Sequence, residues 1–379
     1  MQTIRAGEPR EVLALIPFRL GFQPSDSAAA VSLRAPRGRV GLVVRVDLAD
    51  LADPVEGPQV ARGMIALLGR DRAVRTLLAV YTDDDPRGRD PRVARAIAHY
   101  REAAVAAFGD CEEWAVTRTG FLNLACDGPC CPPGGRPLAG LASTQVSARM
   151  VLEGHTVAAS RDDLVRFPAV GPERRRTVAR ARRRWERAGR EAAAEGTAAL
   201  GAWRERGLAA FRAGLAAAAH GFPDGTRVPW GRLEAALDDR RVRDAVLVAC
   251  LTGDGLAEAS VYGATTDPDV DARIGAALRR VISAEEATLP TPDAQVAERV
   301  LELVVAQGRR EGGAPALTLL AWLAWWRGEG SRARMLLERA LAHDEEYRLA
   351  VLLARMLEAG TGPGWTRREH VGADPGGRG

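Results

Sequence analysis

The chain has 379 residues, 46% of them hydrophobic and only 5% aromatic, and its formal net charge is +4. All 53 basic residues are arginine, which excludes the standard forms of Walker A nucleotide-binding proteins, protein kinases and pyridoxal-phosphate enzymes, because each needs a lysine. No run of about 18 apolar residues occurs, so no membrane span is predicted, and residues 1–10 hold no apolar signal core, so a cytoplasmic protein is expected.

The first half of the chain alternates strand and helix patterns. In chain order, the patterns predict a helix at 8–20 interrupted near Pro17, strands at 28–33 and 40–48, a helix at 60–68, a strand at 76–81, a helix from Asp90 to Phe108, strands at 113–118 and 121–125 turning at Gly120, and a helix at 143–152. The order β-β-α-β-α-β-β indicates an α/β domain with a mixed sheet and packed helices. We expect this domain to cover residues 1–170.

The second half of the chain is predicted to be helical throughout. Beyond Pro172 the strand patterns stop, and we expect an all-α domain over residues 171–360. Its most specific signal is a tetratricopeptide-like hairpin that turns at Gly328 to Gly330. The spacing of that repeat is followed by Leu317, Leu320, Ala321, Ala324, Ala333, Leu337 and Ala340. Residues 361–379 are rich in glycine and are predicted to form a disordered tail.

A cysteine cluster lies in the loop after a predicted strand. Cys126, Cys130 and Cys131 fall within six residues of a Pro- and Gly-rich segment and suit a single zinc ion. The fourth ligand would be one of three residues: His155, Cys111 or Asp127. The spacing lacks the two C-x2-C pairs of a zinc ribbon. Two other interpretations therefore stay open, namely reduced structural thiols in a rigid turn and a redox-labile disulfide from Cys126 to a neighbour.

An acidic loop directly follows the strand predicted at 76–81. It contains Asp83, Asp84 and Asp85. Ligands of α/β sheets gather at the carboxyl ends of strands, and clustered carboxylates suit Mg²⁺ or Ca²⁺. The alternative is a solvated turn that leads into the next helix.

An arginine stripe follows helical spacing just after the predicted domain boundary. Its members are Arg176, Arg180, Arg183, Arg187 and Arg190. Val178, Ala181 and Trp185 form the opposite, apolar face, so the helix is amphipathic. The stripe is a candidate surface for phosphates or anionic lipid. The alternative is a solvated face in a protein from a GC-rich genome, neutralised in part by Glu173, Glu186 and Glu191.

Three tryptophans lie on the first helix of the predicted hairpin. Trp322, Trp325 and Trp326 fall outside the face that packs within the hairpin. That helix is apolar nearly all round, so another segment must cover it. The helix at 293–307 is the expected cover. The alternative is an exposed aromatic groove that docks a protein partner.

Several of these segments together resemble an actinobacterial family catalogued as domain of unknown function 4192. They are residues 11–27, 40–48, the Cys126/Cys130/Cys131 cluster, Ser160-Arg161, residues 241–244 and residues 320–341. The resemblance covers nearly the whole chain and implies a bacterial, cytoplasmic setting and a recurring two-part architecture, with no activity attached. This chain departs from the family pattern at Gln23, where members often carry histidine, and in its less aromatic strand at 121–124.

No catalytic constellation is complete, because the five histidines are scattered singly and no standard nucleophile or zinc-protease motif is present. The leading hypothesis is a non-enzymatic binding or regulatory protein, whose α/β domain holds a small ligand or metal and whose helical domain docks a protein partner. The second is a metal- or thiol-dependent enzyme centred on the cysteine cluster. The third is nucleic-acid binding through the arginine stripe.

Overall fold

A computed structural model of the chain describes residues 8–35, 38–84, 86–87, 90–132, 134–222, 227–252, 255–261, 267–309 and 313–368. The chain forms two compact units that divide between Leu164 and Val165. The division lies slightly before the predicted boundary at residue 170. The reason is that Arg339 of the second unit donates a hydrogen bond of 2.8 Å to the Val165 carbonyl and lies over the Phe167 ring.

The first unit is an α/β domain with a mixed sheet, as predicted, and the sheet has six strands where the sequence predicted five. Its strands are β1 (Ser27–Arg34), β2 (Arg39–Asp47), β3 (Ala73–Tyr81), β4 (Cys111–Val116), β5 (Gly120–Asn123) and β6 (Arg136–Pro137). Its helices are α1 (Pro9–Leu20), α2 (Leu48–Leu51), α3 (Gly57–Arg70), α4 (Pro91–Phe108), α5 (Ala139–Ala142) and α6 (Gln145–Leu152).

The sheet runs in the order β2-β1-β3-β4-β5-β6. Only β3 and β4 pair in parallel, and α4 makes the crossover between them, while the other neighbouring strands are antiparallel. The short strand β6 was not predicted. It is only two residues long and exists because the chain turns back beside β5.

Both faces of the sheet are buried, because successive side chains of a strand point to opposite sides. Ala28 and Leu78 face α2, α3 and α4 on one side. Ala29 and Leu77 face α1 on the other. The domain therefore has helices on both sides of its sheet.

Two local predictions differ from the structure. The helix α1 is not interrupted at Pro17, which lies in its last turn, and it ends at Gly21 with φ 83°. A proline so near the end removes one backbone donor without ending the helix early. The hairpin between β4 and β5 turns at residues 117–119 and not at Gly120, because the Thr117 hydroxyl accepts the amide hydrogens of Thr119 and Gly120.

The second unit is largely helical. Its helices are α7 (Pro172–Glu195), α8 (Thr197–Ala219), α9 (Trp230–Ala236), α10 (Arg240–Ala249), α11 (Leu256–Val261), α12 (Pro268–Ile282), α13 (Pro292–Gln307), α14 (Ala314–Trp326), α15 (Gly330–His343), α16 (Arg348–Glu358) and α17 (Gly364–Arg368). Within the described ranges, none of the helices combines the length and apolarity needed to cross a bilayer.

The predicted start of the disordered tail at residue 361 is wrong for residues 361–368. Trp365 is only 8% exposed, and its indole nitrogen donates a hydrogen bond of 2.6 Å to the Trp326 carbonyl. Gly364 lies so close to the Ser283 backbone that a Cβ atom would approach the Ser283 carbonyl oxygen to 2.0 Å. Residues 369–379 lie outside the described part of the chain.

Candidate metal centre

The cysteine cluster lies in the segment that connects β5 to β6. Two consecutive tight turns shape it. The Asn123 carbonyl accepts the Cys126 amide hydrogen at 3.3 Å, and the Gly128 carbonyl accepts that of Cys131 at 2.9 Å. These turns bring the three cysteine side chains to one side of the loop.

The return of the chain to β5 depends on glycine. Gly135 has φ 80°, a left-handed conformation that side chains rarely adopt. A Cβ atom at Gly135 would lie 2.8 Å from the Phe121 carbonyl oxygen. The Pro- and Gly-rich sequence after the cysteines therefore lets β6 approach β5 closely and fixes the end of the loop.

The three thiols converge. The sulfur atoms of Cys126, Cys130 and Cys131 all lie within 4.8 Å of one another, and those of Cys126 and Cys130 are 3.2 Å apart. Sulfurs bound to one tetrahedral zinc at about 2.3 Å lie about 3.8 Å apart, so small side-chain rotations bring all three into range. All five cysteines of the chain are free thiols.

The cluster runs from the protein interior to its surface. Cys131 is only 2% exposed and packs against Ala115 and Leu122 of the sheet. Cys126 is half-buried and Cys130 is exposed. One side of the cluster is thus anchored in the core, while the other remains open to an incoming ion or molecule.

Two arginines hold the loop by its backbone. Arg87, between β3 and α4, donates from Nη2 to the carbonyls of Cys126 at 2.7 Å and Cys131 at 3.0 Å. Arg136, at the start of β6, donates from Nε to the Cys130 carbonyl at 2.6 Å. These guanidinium groups hold the backbone at all three cysteines.

The three proposed fourth ligands are not part of the cluster. Over the described ranges, the group that could hold a metal contains the three cysteines alone. The Cys111 thiol donates instead to Glu113 at 3.5 Å, and burial, with a further contribution from Glu113, raises its pKa to about 12. His155 lies 3.9 Å from the Glu153 carboxylate, and Asp127 does not join the group. A metal ion held here would therefore take three ligands from the described residues, and its fourth position would remain open.

In its described part, the acidic loop forms no cluster of carboxylates that could hold a metal. Asp83 pairs with Arg118 at 3.2 Å, and Asp84 pairs with Arg92, so each carboxylate has an arginine as its partner. Asp85 lies outside the described residues. Both described carboxylates are thus engaged in ion pairs at the protein surface.

The three tryptophans of α14 are covered, as expected, and do not form the exposed groove that was the alternative. Trp322, Trp325 and Trp326 are 6%, 3% and 0% exposed. The indole nitrogen of Trp325 donates to the Thr361 carbonyl, and that of Trp326 donates to the Thr288 carbonyl. The cover thus comes from segments around residues 288 and 361–365 as well as from α13.

The arginine stripe lies on the solvent side of α7. All five members are exposed, while Val178 on the opposite face is buried. Of the acidic residues expected to neutralise the stripe, Glu186 turns inward and pairs with Arg182 and Arg309. The charge of the stripe is therefore less compensated than the sequence indicated.

Sequence reasoning identified the thiols of the candidate site but missed Arg87 and Arg136. Both act on backbone carbonyls, and Arg87 lies 39 residues from Cys126 in the chain. The available signal was weak: an arginine follows the carboxyl end of β3, and another follows the Pro- and Gly-rich turn.

Comparisons with known proteins give a family and no activity. No curated protein and no solved structure matches the chain. One family model matches residues 9–262 and again residues 260–364, which together span both units. The chain therefore belongs to the family described as domain of unknown function (DUF4192).

Proposed function

We propose that this protein is a non-enzymatic binding protein whose α/β unit holds a soft divalent cation, zinc in the first place, on the thiolates of Cys126, Cys130 and Cys131. One observation carries the proposal: three sulfur atoms from one short loop lie within 4.8 Å of one another. Thiolate sulfur is the ligand that selects zinc and other soft metals over Mg²⁺ and Ca²⁺.

The surroundings of the thiols support this role. Arg87 and Arg136 bind the three cysteine carbonyls, which orders the loop before any ion arrives. A zinc ion bound by three thiolates forms a group with a net charge of −1. The positive charges of Arg87 and Arg136 offset this charge. The exposed side of the cluster leaves the fourth position to water or to a ligand group from another molecule.

The first experiment measures zinc in protein purified without a histidine tag. We expect about one equivalent per chain in the wild type and almost none in Cys130→Ser, since the substitution leaves only two thiolate ligands for the ion. Cys130 is exposed, so the substitution leaves the core intact. Cys111→Ser is the matched control and should retain zinc, because Cys111 lies outside the group. Wild-type protein that remains metal-free after incubation with zinc would refute the proposal.

A second candidate function is a thiol switch. The 3.2 Å between the sulfurs of Cys126 and Cys130 favours it, because a disulfide needs them only about 1.2 Å closer. In that reaction an oxidised disulfide, such as glutathione disulfide, takes two electrons and two protons from the two thiols and leaves as two thiols. Incubation with glutathione disulfide followed by peptide mass spectrometry would show the Cys126–Cys130 bond. Prior loading with zinc should block it.

We also propose that α14 and α15 of the helical unit form a tetratricopeptide-like hairpin. Helices α14 and α15 pack against each other, and their small residues Ala321, Ala324, Ala333 and Ala340 are all buried. Small residues at these positions let the two helices of that repeat approach closely. Protein docking through the tryptophans of α14 is not part of the proposed function, since those rings are covered.

The proposed setting is the reducing cytoplasm of a bacterium with a GC-rich genome, as in actinobacteria. Five free thiols and a lysine-free composition support it.

A further inference from the structure

The outer face of α7 is a row of positive charge. The arginine stripe runs from Arg176 to Arg190, and every member is exposed. Over these residues the helix rises by about 21 Å. Arg184 is also exposed and lies at the edge of the stripe.

The stripe lacks acidic partners. Among the described residues, no carboxylate lies within 4.0 Å of the guanidinium group of any of its five arginines, and only Arg180 has a side-chain partner, the Thr177 hydroxyl at 3.2 Å. On two other helices, arginines do pair four residues along: Arg149 with Glu153 and Arg334 with Glu338. A GC-rich genome explains how many arginines the chain has. It does not explain why five of them share one face without a carboxylate.

The arrangement opposes the stability of the isolated helix. Arg176 and Arg180, and again Arg183 and Arg187, are four residues apart, a spacing at which like charges repel. The spacing of the arginines therefore causes repulsion between their guanidinium groups, and a bound polyanion would remove it.

The other face of α7 indicates which polyanion fits. Insertion into a membrane surface needs exposed apolar side chains on the same helix. In the described chain, the large apolar side chains that are exposed lie on other segments, and Val178 of α7 is buried. Trp185 stacks on Trp203 with ring centroids 5.5 Å apart. The helix has already used its apolar face within the protein, so a lipid bilayer is not its partner.

Trp185 also argues against single-stranded nucleic acid. Single strands are bound by aromatic rings on which bases stack. The Trp185 ring is occupied by Trp203 on one side, and the guanidinium group of Arg232 lies 4.5 Å from its centroid. It offers no free face to a base.

We propose that α7 binds the phosphodiester backbone of a nucleic-acid duplex without sequence preference. A strand of duplex DNA carries about six phosphates over 21 Å, enough to supply one phosphate to each of the five arginines of the stripe. Phosphate contacts alone position a protein on a duplex and carry no sequence information.

The test measures binding of the full-length protein to a fluorescent 20-base-pair DNA duplex as a function of salt. We expect log Kd to change with log salt with a slope of about 4.5, since each of five neutralised phosphates contributes about 0.9. The double variant Arg183→Gln/Arg187→Gln should lower this slope by about 1.8 and weaken binding about a hundredfold at 50 mM salt. The double variant Arg149→Gln/Arg334→Gln has the same net charge and should bind like the wild type.

Three further anionic ligands distinguish a nucleic-acid duplex from other possible partners of the stripe: an RNA duplex, a single-stranded oligonucleotide and phosphatidylserine vesicles. An RNA duplex of the same sequence that binds comparably supports backbone recognition. Tighter binding to the single-stranded oligonucleotide, or to phosphatidylserine vesicles, would overturn the proposal. So would the absence of duplex binding at about 50 mM salt, or equal effects of the two double variants. Circular dichroism of both variants checks that they fold.

Discussion

At the scale of single residues, Arg87 holds the cysteine loop by its backbone and not by its thiols. One nitrogen of its guanidinium group binds the carbonyls at both ends of the cluster, Cys126 and Cys131. The sequence predicted the thiols because their type and spacing carry chemistry. It could not predict a contact from an arginine side chain to carbonyl oxygens, since any residue supplies a carbonyl.

The loop-holding role of Arg87 predicts a loss of metal affinity on substitution. Arg87→Ala should weaken zinc binding about 10- to 100-fold, the usual effect of removing a group that orients metal ligands. Competition with a chromophoric chelator measures this. Arg92→Ala is a matched control, because Arg92 pairs with Asp84 and does not contact the loop. Equal zinc affinity of Arg87→Ala and the wild type would contradict the role.

The five thiols should differ in reactivity. Burial raises the pKa of Cys111 and of Cys250 to about 12, so both remain protonated at pH 8 and form thiolates only as the pH approaches 12. Cys130 is exposed and should react first with iodoacetamide in metal-free native protein. Peptide mass spectrometry at timed intervals measures the order. Labelling of Cys111 or Cys250 as fast as Cys130 would show that the burial is wrong.

At the scale of elements, the sequence predicted the helices and strands that bury a periodic apolar face. The central strands β1 and β3 are examples, since seven of the eight residues of β1 and the last six of the nine residues of β3 are buried. It did not predict β6, which pairs through only two residues, Arg136 and Pro137. It also missed α17, because a short segment rich in glycine has no periodicity, and its order depends on the site that receives Trp365.

The burial of Trp365 predicts unequal effects of two truncations. Ending the chain after Gly360 removes Trp365 and the Thr361 carbonyl that Trp325 binds. We expect the free energy of unfolding of the helical unit to fall by about 3–5 kcal/mol, as for the loss of a large buried aromatic side chain. Ending the chain after Arg368 should leave it unchanged. Urea unfolding followed by tryptophan fluorescence compares the two, and equal stabilities would contradict the docking of Trp365.

At the scale of the whole molecule, the two-unit division separates the candidate metal site from the arginine stripe. The sequence predicted a division near residue 170, because strand patterns end where the helical patterns begin, and the two units divide between Leu164 and Val165. The sequence did not predict which way each charged side chain points. Glu186 was expected to neutralise the stripe, but it pairs with Arg182 and Arg309. The partner of Glu186 depends on which residues the fold brings beside it. The sequence of α7 alone does not show that Arg309 will be one of them.

Zinc should therefore stabilise only the first unit. At a free zinc concentration one hundred times Kd, the stabilisation is about 2.7 kcal/mol. Seven of the eight tryptophans lie in the second unit, so their fluorescence follows that unit separately. Calorimetry should show a zinc-dependent rise in one transition, with the tryptophan transition unchanged and no effect in Cys130→Ser. An equal shift of both transitions would contradict a site confined to the first unit.

The most direct test of the central claim is X-ray absorption at the zinc edge on the full-length, zinc-loaded protein. Convergence of the three thiols predicts about three sulfur neighbours at 2.3 Å and one lighter atom at the open position. Cys130→Ser should lose at least one of the sulfur neighbours. A shell of oxygen and nitrogen alone, at about 2.0–2.1 Å, would show that the cysteine loop does not bind the metal.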